Sequence, residues 1–186
     1  MKLGAAPRSL EDGDVRIRAP EPADAVAVLA AVDASRPELE AWMPWCTPAY
    51  DLDDARAWIA GASVDRAARP FVIETPGDGL LVGATGLDVV DSLDHAWKLG
   101  YWVRSDRTGR GIARRAAHLA ARFAFEHLDA QRLDVLVAPD NHRSLAVAEA
   151  LGARREGLLR RRFLLRGRRH DAVILGLLPE ELRAPV

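Results

Sequence analysis

Residues 98–113, Lys-Leu-Gly-Tyr-Trp-Val-Arg-Ser-Asp-Arg-Thr-Gly-Arg-Gly-Ile-Ala, decide which fold the chain adopts. The first six of them are apolar and aromatic with few breaks, which predicts a short buried strand. The alanine- and arginine-rich segment that follows, up to Leu128, repeats its apolar residues with helical spacing, which predicts an amphipathic helix. Gly109 and Gly111 stand between this strand and this helix.

The Gly-x-Gly turn predicts an anion site. Glycine lets the backbone approach a ligand closely, and a helix N-terminus presents unpaired N–H groups with about half a positive charge. A P-loop would need Gly-Lys-Ser/Thr, and a dinucleotide-binding turn would need a third glycine after an early strand. Neither pattern is present here. The turn therefore predicts a phosphate or pyrophosphate site, with a glycine turn that binds no ligand as the alternative.

Composition narrows the class of protein. A chain of 186 residues is long enough for one domain with a full hydrophobic core. Its net charge of -1 excludes nucleic-acid binding through overall charge, and the single Cys46 excludes an internal disulfide or a cysteine metal cage. The apolar runs are too short to span a bilayer, and the first seven residues lack the apolar core of a signal peptide. We therefore expect a cytoplasmic protein without a metal, a membrane or direct contact with nucleic acid.

The order of predicted elements indicates the fold class. It runs strand, three helices, three strands, helix, strand, helix and two strands, which predicts an α+β fold with a mixed, mostly antiparallel, seven-stranded sheet flanked by helices. Ser35 and Glu38 have the spacing of a capping box, so the second helix should begin there. The predicted strands are 15–19, 70–74, 80–87, 95–103, 132–137, 153–165 and 169–178, and the longer predicted helices are 23–32, 51–64, 113–128 and 145–151.

The string Thr108-Gly-Arg-Gly-Ile-Ala113 resembles the acyl-CoA pyrophosphate loop of GNAT-type N-acetyltransferases, whose pattern is Gln/Arg-x-x-Gly-x-Gly/Ala. Thr108 stands at the first position of that pattern. Two other strings resemble the branch of the family that acetylates the N-terminal serine or alanine of ribosomal proteins. They are Arg-Pro-Glu-Leu-Glu-Ala-Trp-Met-Pro-Trp at 36–45, and Asn-His-Arg-Ser at 141–144 followed by Leu-Gly at 151–152 and Glu-Gly at 156–157.

The resemblance implies a single GNAT domain over residues 13–178, with tails at 1–12 and 179–186, and acetyl-CoA as the co-substrate. The pantetheine arm would lie beside the backbone of Trp102 and Val103. Asn141 and Ser144 would face that arm, with Ser144 holding a catalytic water or the departing sulfur. The pyrophosphate would lie on the turn formed by Thr108, Gly109, Arg110, Gly111, Ile112 and Ala113, with Arg104 and Arg107 nearby as side-chain candidates.

The sequence departs from the family pattern at two positions. Many GNAT proteins carry a tyrosine acid one helical turn after the position of Ser144, where this chain has Ala148. The ribosomal-protein branch often carries a carboxylate near the position of Phe163. Ser144 or a water would then serve the leaving group. Glu156 is our candidate base or water-holder, with a structural role at the strand end as its alternative, and Asp171 is a further carboxylate.

The acceptor site is predicted from aromatic and basic residues. Trp42 and Trp45 lie in a proline-containing loop and could form either the core or the wall of an acceptor pocket. The last hairpin carries arginines that could form a solvated face or a dock for an acidic partner: Arg154, Arg155, Arg160, Arg161, Arg162, Arg166, Arg168 and Arg169.

The poor supply of acids and bases favours a particular kind of acceptor. About one-third of an α-amine with a pKa near 7.8 is neutral at pH 7.5, against about 0.1% of a lysine side chain. We therefore expect the N-terminal α-amine of an acidic protein or peptide. The alternatives are a small-molecule amine and a non-catalytic acyl-CoA-binding protein, and the resemblance also allows a homodimer.

Overall fold

One eight-stranded sheet organises the chain. The structure is a computed structural model, and it describes residues 7–64 and 67–185. The strands are β1 (Ser9–Asp12), β2 (Val15–Arg18), β3 (Ala68–Thr75), β4 (Leu80–Asp91), β5 (Ala96–Val103), β6 (Arg132–Val137), β7 (Arg154–Leu165) and β8 (Arg168–Leu177). The α-helices are α1 (Ala25–Asp33), α2 (Arg36–Trp42), α3 (Leu52–Val64), α4 (Ile112–His127) and α5 (His142–Ala150), and short 3-10 helices span Pro22–Asp24, Ser105–Arg107 and Pro179–Glu181.

The strand order is β1-β2-β3-β4-β5-β6-β8-β7, and every neighbouring pair is antiparallel except β5 and β6. This arrangement confirms the predicted α+β class, but the predicted count of seven strands is wrong by one. The additional strand is β1, in the segment expected to be a tail. It pairs with β2 across a turn at Gly13, whose φ is +57°. Its sequence, Ser-Leu-Glu-Asp, contains a single apolar residue, so it shows no alternation. Residues 1–6 of that expected tail, and residue 186, lie outside the described residues.

The helices begin and end close to the predicted positions, with one difference in chemistry. Helix α2 starts directly after Ser35, but the Ser35 hydroxyl does not cap it. That hydroxyl accepts a hydrogen bond from the N–H of Ser105, at 2.8 Å, which ties the start of α2 to the segment after β5. The predicted capping box is therefore wrong, because a tertiary partner 70 residues away takes the serine oxygen.

The two faces of the sheet are covered by different helices. Along β5, Leu99, Tyr101 and Val103 belong to the core that contains α4 and α5 residues, whereas Trp102 packs against the clusters formed by α1, α2 and α3. This division follows from the alternation of side chains along a strand. No helix within the described ranges is long and apolar enough to cross a bilayer.

The sheet opens between β5 and β6. These parallel strands pair only from Ala96 to Lys98 on β5, opposite Arg132 to Asp134 on β6. Beyond Lys98, β5 continues to Val103 paired with β4 alone. A Cβ on Gly83 of β4 would collide with the Trp102 carbonyl, so glycine permits β4 to follow β5 closely at the open end. A cleft therefore lies at the carboxyl ends of β5 and β6.

Candidate active site

The cleft between β5 and β6 has a volume of about 740 Å³. The end of β5, the start of α5 and the aromatic loop after α2 line it, together with two residues of β7. Trp42, Ala138 and Phe163 also line an adjoining basin of about 460 Å³, which extends toward the turn between β7 and β8. The main cleft and the basin therefore form one continuous groove across the open edge of the parallel pair.

The Gly-x-Gly turn has the backbone that an anion site needs. Gly109 and Gly111 have φ values of +76° and +74°, and Gly111 is the N-cap of α4. No other heavy atom outside the adjoining residues lies within 4 Å of the place where a Cβ would stand on either glycine. The first turn of this 16-residue helix therefore presents its free N–H groups to open space. Ile112 anchors the helix by burying its side chain in the core.

The two arginines predicted to reach the phosphates are already paired with carboxylates. Arg104 donates to Asp106 at 3.0 and 2.9 Å, and Arg107 contacts Asp78 at 2.8 Å. The hydrogen bond from Arg104 holds the pKa of the Asp106 carboxyl below its usual range, so that pair persists at neutral pH. In the part of the chain that the structure describes, Arg110 has no such partner. The side chain best able to meet an anion on this turn is therefore Arg110.

Thr108 stabilises the turn from within. Its hydroxyl donates to the carbonyl of Ser105 at 2.9 Å, closing the 3-10 helix that precedes the glycines. This local bond explains how threonine can stand at the first position of the loop pattern. Its contribution is to the shape of the turn.

The register of β5 decides which backbone groups face the cleft. The Arg104 N–H donates to the Val82 carbonyl of β4 at 2.7 Å. In an antiparallel pair the N–H groups of successive residues point to opposite sides. The Trp102 N–H therefore points toward β4, while the N–H groups of Val103 and Tyr101 point toward the open side. The resemblance places the pantetheine arm beside the backbone of Trp102 and Val103, and in this register the N–H groups on the open side are those of Val103 and Tyr101.

Asn141 and Ser144 line the cleft at the start of α5. Asn141 is the N-cap, and its Oδ1 accepts from the Ser144 N–H at 3.1 Å. The Tyr101 hydroxyl donates to the Ser144 carbonyl at 2.8 Å, and Ser144 Oγ donates to the Tyr101 oxygen at 3.3 Å. Burial raises the pKa of Tyr101 to about 12, so the phenol keeps its proton at neutral pH. The sequence analysis did not single out this phenol.

Glu156 does not face the cleft. Arg132 binds both of its carboxylate oxygens, and the pair lies near the closed end of the β5–β6 opening. Hydrogen bonding from Arg132 lowers the pKa of Glu156, which makes it a poor proton acceptor. The role of Glu156 as a base stays a prediction, and its contact with Arg132 is the arrangement expected for the alternative, a structural role at the strand end. Asp171 accepts from the Arg161 backbone N–H at 2.8 Å and lines the adjoining basin.

Aromatic side chains form the wall of the cleft opposite α5. Trp45 lies 5.4 Å from Tyr50 and 5.9 Å from Trp102 between ring centroids, in tilted arrangements. Trp42 and Trp45 remain 38% and 41% exposed, so neither is a core residue. The structure brings both predicted tryptophans to the cleft and adds Tyr50, Trp58 and Trp102 beside them.

The β7–β8 hairpin closes the groove on its outer side. Phe163 lines both the cleft and the basin, at the position where a carboxylate was expected from related sequences. Arg166, at the hairpin turn, donates through Nη2 to the carbonyls of Glu40 and Cys46, at 2.8 and 2.6 Å. Arg166 therefore fixes the hairpin to the α2 loop.

The hairpin arginines fall into two groups. Arg154 and Arg155 are paired with carboxylates, at 2.8 and 2.7 Å. Arg166 binds the two carbonyls of the α2 segment and no carboxylate. Within the described residues, the other five hairpin arginines also form no ion pair: Arg160, Arg161, Arg162, Arg168 and Arg169.

No group of three or more His, Cys, Asp or Glu side chains in the described ranges could hold a metal ion. The cleft offers backbone N–H donors, hydroxyls, aromatic surfaces and the charged side chains of Asp54, Asp88, Lys98 and Arg162.

Comparison with known families identifies the fold. The profile described as an acetyltransferase (GNAT) domain matches residues 14–154, which is most of the chain. The chain belongs to the GNAT acetyltransferase family. It is therefore an acetyltransferase, and the fold class and family predicted from its sequence are confirmed.

Several relatives of this GNAT acetyltransferase are informative. It is 29% identical over 169 residues to YdaF of Bacillus subtilis (strain 168), a protein provisionally named as a ribosomal N-acetyltransferase, covering 90% of this chain and 92% of that one. It is 30% identical to Mycobacterium smegmatis RimJ, solved in complex with CoA-disulfide, with a TM-score of 0.82 and coverage of 91% and 84%. Spermidine N(1)-acetyltransferase of Escherichia coli (strain K12) is 28% identical over 109 residues, or 59% of this chain and 58% of that one.

Sequence reasoning missed three features of this GNAT acetyltransferase site. Tyr101 could have been found, because strand alternation puts it on the same face as Leu99, toward α4 and α5. The contact of Arg166 with the α2 loop joins residues 126 and 120 positions apart, and no local pattern predicts it. The pairing of Glu156 with Arg132 is likewise a contact between distant residues.

Proposed function

We propose that this protein transfers an acetyl group from acetyl-CoA to the N-terminal α-amine of an acidic protein or peptide, in the cytoplasm. The observation that carries the proposal is the open end of β5 and β6. Backbone N–H groups of β5 lie on its open side, and the glycine turn follows β5 along the chain. Aromatic residues and Arg162 line the cleft. The first set suits an acyl-CoA, and the second set suits a peptide.

The acyl-CoA half of the site rests on backbone donors. The N–H groups at Gly109–Ala113 would bind the diphosphate, with Arg110 as the available side chain. RimJ, the relative solved with CoA-disulfide, supports this use of the fold. Acetyl-CoA supplies the reactive thioester when bound. Its carbonyl oxygen would meet the Val103 N–H, and a donor of this kind contributes about 3 kcal/mol to the transition state in comparable sites.

The departing sulfur needs a hydrogen-bond donor, and Ser144 is the hydroxyl that lines the cleft beside the end of β5. Asn141 would act mainly through the cap that fixes the Ser144 backbone. Asp54 and Asp88 also line the cleft, but Asp88 is paired with Lys98 at 2.8 Å. The cleft has few side chains that could act as a general base. An α-amine is therefore the acceptor that reacts most readily, because a large fraction of it is neutral at pH 7.5.

The rest of a peptide acceptor would follow the groove. Past Trp42 and Phe163 it would enter the adjoining basin, which Arg169 and His170 border. Arg162 lines the main cleft and has no carboxylate partner among the described residues. Acidic side chains after the first acceptor residue would meet the guanidinium groups of Arg162 and Arg169. YdaF, named for ribosomal N-acetylation, supports a protein acceptor.

A polyamine is the second candidate acceptor. The spermidine acetyltransferase relative favours it. So does the Asp54 carboxylate at the aromatic wall, which has no cationic side chain as a partner among the described residues. The two candidates differ in charge, so a competition between substrates separates them.

The test is a panel of amines at pH 7.5 with acetyl-CoA. It compares acidic, neutral and basic peptides bearing free Ser or Ala N-termini with spermidine and a lysine side-chain amine. We expect the acidic peptides to react fastest, with an advantage that shrinks as salt is raised, because exposed charges are screened. The Arg162→Ala variant should lose part of the advantage. Arg155→Ala, whose arginine is paired with Glu149, should keep it.

Equal or faster acetylation of spermidine would replace the peptide assignment with the polyamine. Acetyl-CoA binding without transfer to any amine in the panel would contradict the proposed transfer reaction.

A further inference from the structure

We propose that Tyr101 is a positioning residue for the reaction: its phenol holds the Ser144 hydroxyl in place and frees it to face the departing sulfur. The inference rests on the proposed function, in which Ser144 serves that sulfur. It adds a residue on strand β5 to a task otherwise assigned to helix α5.

Three atoms of Ser144 are held at once. Its N–H donates to Asn141 Oδ1 at 3.1 Å, its carbonyl accepts from the Tyr101 hydroxyl at 2.8 Å, and its Oγ lies 3.3 Å from the Tyr101 oxygen. A serine hydroxyl in the first turn of a helix ordinarily has several rotamers available. Contact with a fixed phenol restricts them, so the oxygen is oriented before substrate binds.

The phenol is itself well fixed. The Tyr101 ring packs against the core that includes Leu145 and Ala148 of α5, and its hydroxyl ends at the cleft. Burial raises its pKa to about 12, although hydrogen bonds with Ser144 and with the Ala148 backbone act in the opposite direction. The group therefore remains a neutral donor throughout the range in which an α-amine reacts.

Two arrangements of the hydroxyl protons are compatible with these distances. In one, the phenol donates to the Ser144 carbonyl and accepts from Oγ. In the other, the phenol turns its proton to Oγ, and the serine proton is free to point into the cleft, because hydroxyl protons rotate to suit their partners. The Ser144 carbonyl keeps its helical partner in the second arrangement, so the exchange leaves no buried oxygen without a donor. No proton leaves the pair, and no covalent bond changes.

The chain offers no other phenol for this task. Its two tyrosines are Tyr50 and Tyr101. Tyr50 lies in the aromatic wall, on the opposite side of the cleft from α5. Ala148, one turn after Ser144, presents a methyl group that is completely buried. Tyr101 is therefore the phenol that contacts Ser144.

The experiment is a double-mutant cycle on kcat with Tyr101→Phe, Ser144→Ala and the combined variant, using whichever amine the wild type acetylates best. We expect Ser144→Ala to lower kcat about 10–100-fold and Tyr101→Phe to lower it about 10-fold, both with little change in the acetyl-CoA KM. The combined variant should be no slower than Ser144→Ala alone, because the phenol acts through the serine.

A control separates positioning from loss of a buried hydrogen bond. Ser35→Ala removes the hydroxyl that binds the Ser105 N–H, outside the cleft. It should lower the melting temperature by an amount similar to Tyr101→Phe while leaving kcat unchanged. A Tyr101→Phe variant with wild-type kcat, or effects of Tyr101 and Ser144 that simply multiply, would overturn the inference and leave the proposed function intact. Normal kcat in Ser144→Ala would overturn both the role of Ser144 and the inference, whereas a wild type inactive on every amine would contradict the proposed function itself.

Discussion

Arg132 binds both carboxylate oxygens of Glu156, with Nη1–Oε1 at 3.0 Å and Nη2–Oε2 at 2.5 Å. Its Nε also donates to Asp134 on the same strand, at 2.7 Å. In the sheet, β8 lies between β6 and β7. The guanidinium therefore reaches across β8 and joins β6 to β7 near the closed end of the cleft. A carboxylate held in this way stays ionised, and both of its oxygens are already engaged by the arginine.

We expect Glu156→Gln to leave kcat within about two-fold of the wild type. The change should lower the melting temperature slightly, because an exposed ion pair contributes about 0.2–1 kcal/mol. Glu149→Gln, which breaks the exposed pair with Arg155, is the matched control and should behave alike. Steady-state kinetics and thermal unfolding measure both effects. A ten-fold loss of kcat in folded Glu156→Gln alone would restore Glu156 to the mechanism.

The Gly111→Asp substitution should abolish acetyl-CoA binding without unfolding the protein. It puts a negative charge where the free N–H groups of α4 face open space, and phosphate oxygens would be repelled. Gly167→Asp is the control, because Gly167 has a similar φ of +72° and equally open surroundings at the far hairpin turn. Calorimetry with acetyl-CoA should show binding to the control only. Unchanged affinity in folded Gly111→Asp would move the phosphate site elsewhere.

The Arg166→Ala substitution should weaken acceptor binding while acetyl-CoA binding stays normal. The variant loses the two hydrogen bonds to the Glu40 and Cys46 carbonyls that hold the hairpin beside the α2 loop. We expect the acceptor KM to rise about 5–30-fold, since two hydrogen bonds from a charged donor are lost. Arg168→Ala removes an arginine beside the same turn whose side chain has no hydrogen bond or ion pair in the described part of the chain. An equal rise in the acceptor KM of both variants would mean that the positive charge, rather than the hydrogen bonds to the Glu40 and Cys46 carbonyls, determines acceptor binding.

The Asp24→Asn substitution should reduce stability and its dependence on pH. Arg18 donates to both Asp24 oxygens, at 2.7 and 2.8 Å, and holds the pKa of this nearly buried carboxyl below its usual value. The pair therefore stabilises the fold fully above a pH of about 4, and this contribution is lost as the pH falls through the lower folded-state pKa.

Removing that charge should cost about 1.5–3 kcal/mol at pH 7, because the hydrogen bonds between Arg18 and the Asp24 carboxylate are lost. Glu74 still accepts hydrogen bonds from Arg18, so the guanidinium keeps a counter-charge in the variant. Denaturant unfolding at pH 7 and at acid pH measures it, with Asp53→Asn, in an exposed pair with Arg56, as the control. The variant should lose less stability than the wild type on acidification. A parallel fall in both proteins would show that Asp24 is not the titrating group.

Local patterns in the sequence predicted the main elements of this acetyltransferase. The apolar run before Val103, the glycines at 109 and 111, and the helical spacing after Ala113 were confirmed as a strand, a turn and a helix. These features depend on neighbours within a few residues, so the sequence displays them directly. Strand β1 escaped prediction because its four residues hold one apolar side chain, and only its pairing with β2 makes it a strand.

The catalytic details depended on contacts between distant residues. Glu156 looked available as a base until Arg132, 24 positions earlier, was found bound to it. Tyr101 and Ser144 are 43 positions apart, and they meet because β5 diverges from β6 and lets the start of α5 approach its end. The sequence by itself determined the strand, the glycine turn and the helix, since backbone propensity and hydrophobic spacing are local. Only the tertiary structure decided which hydroxyl, carboxylate and arginine face the cleft, because the packing of the sheet and its helices sets those distances.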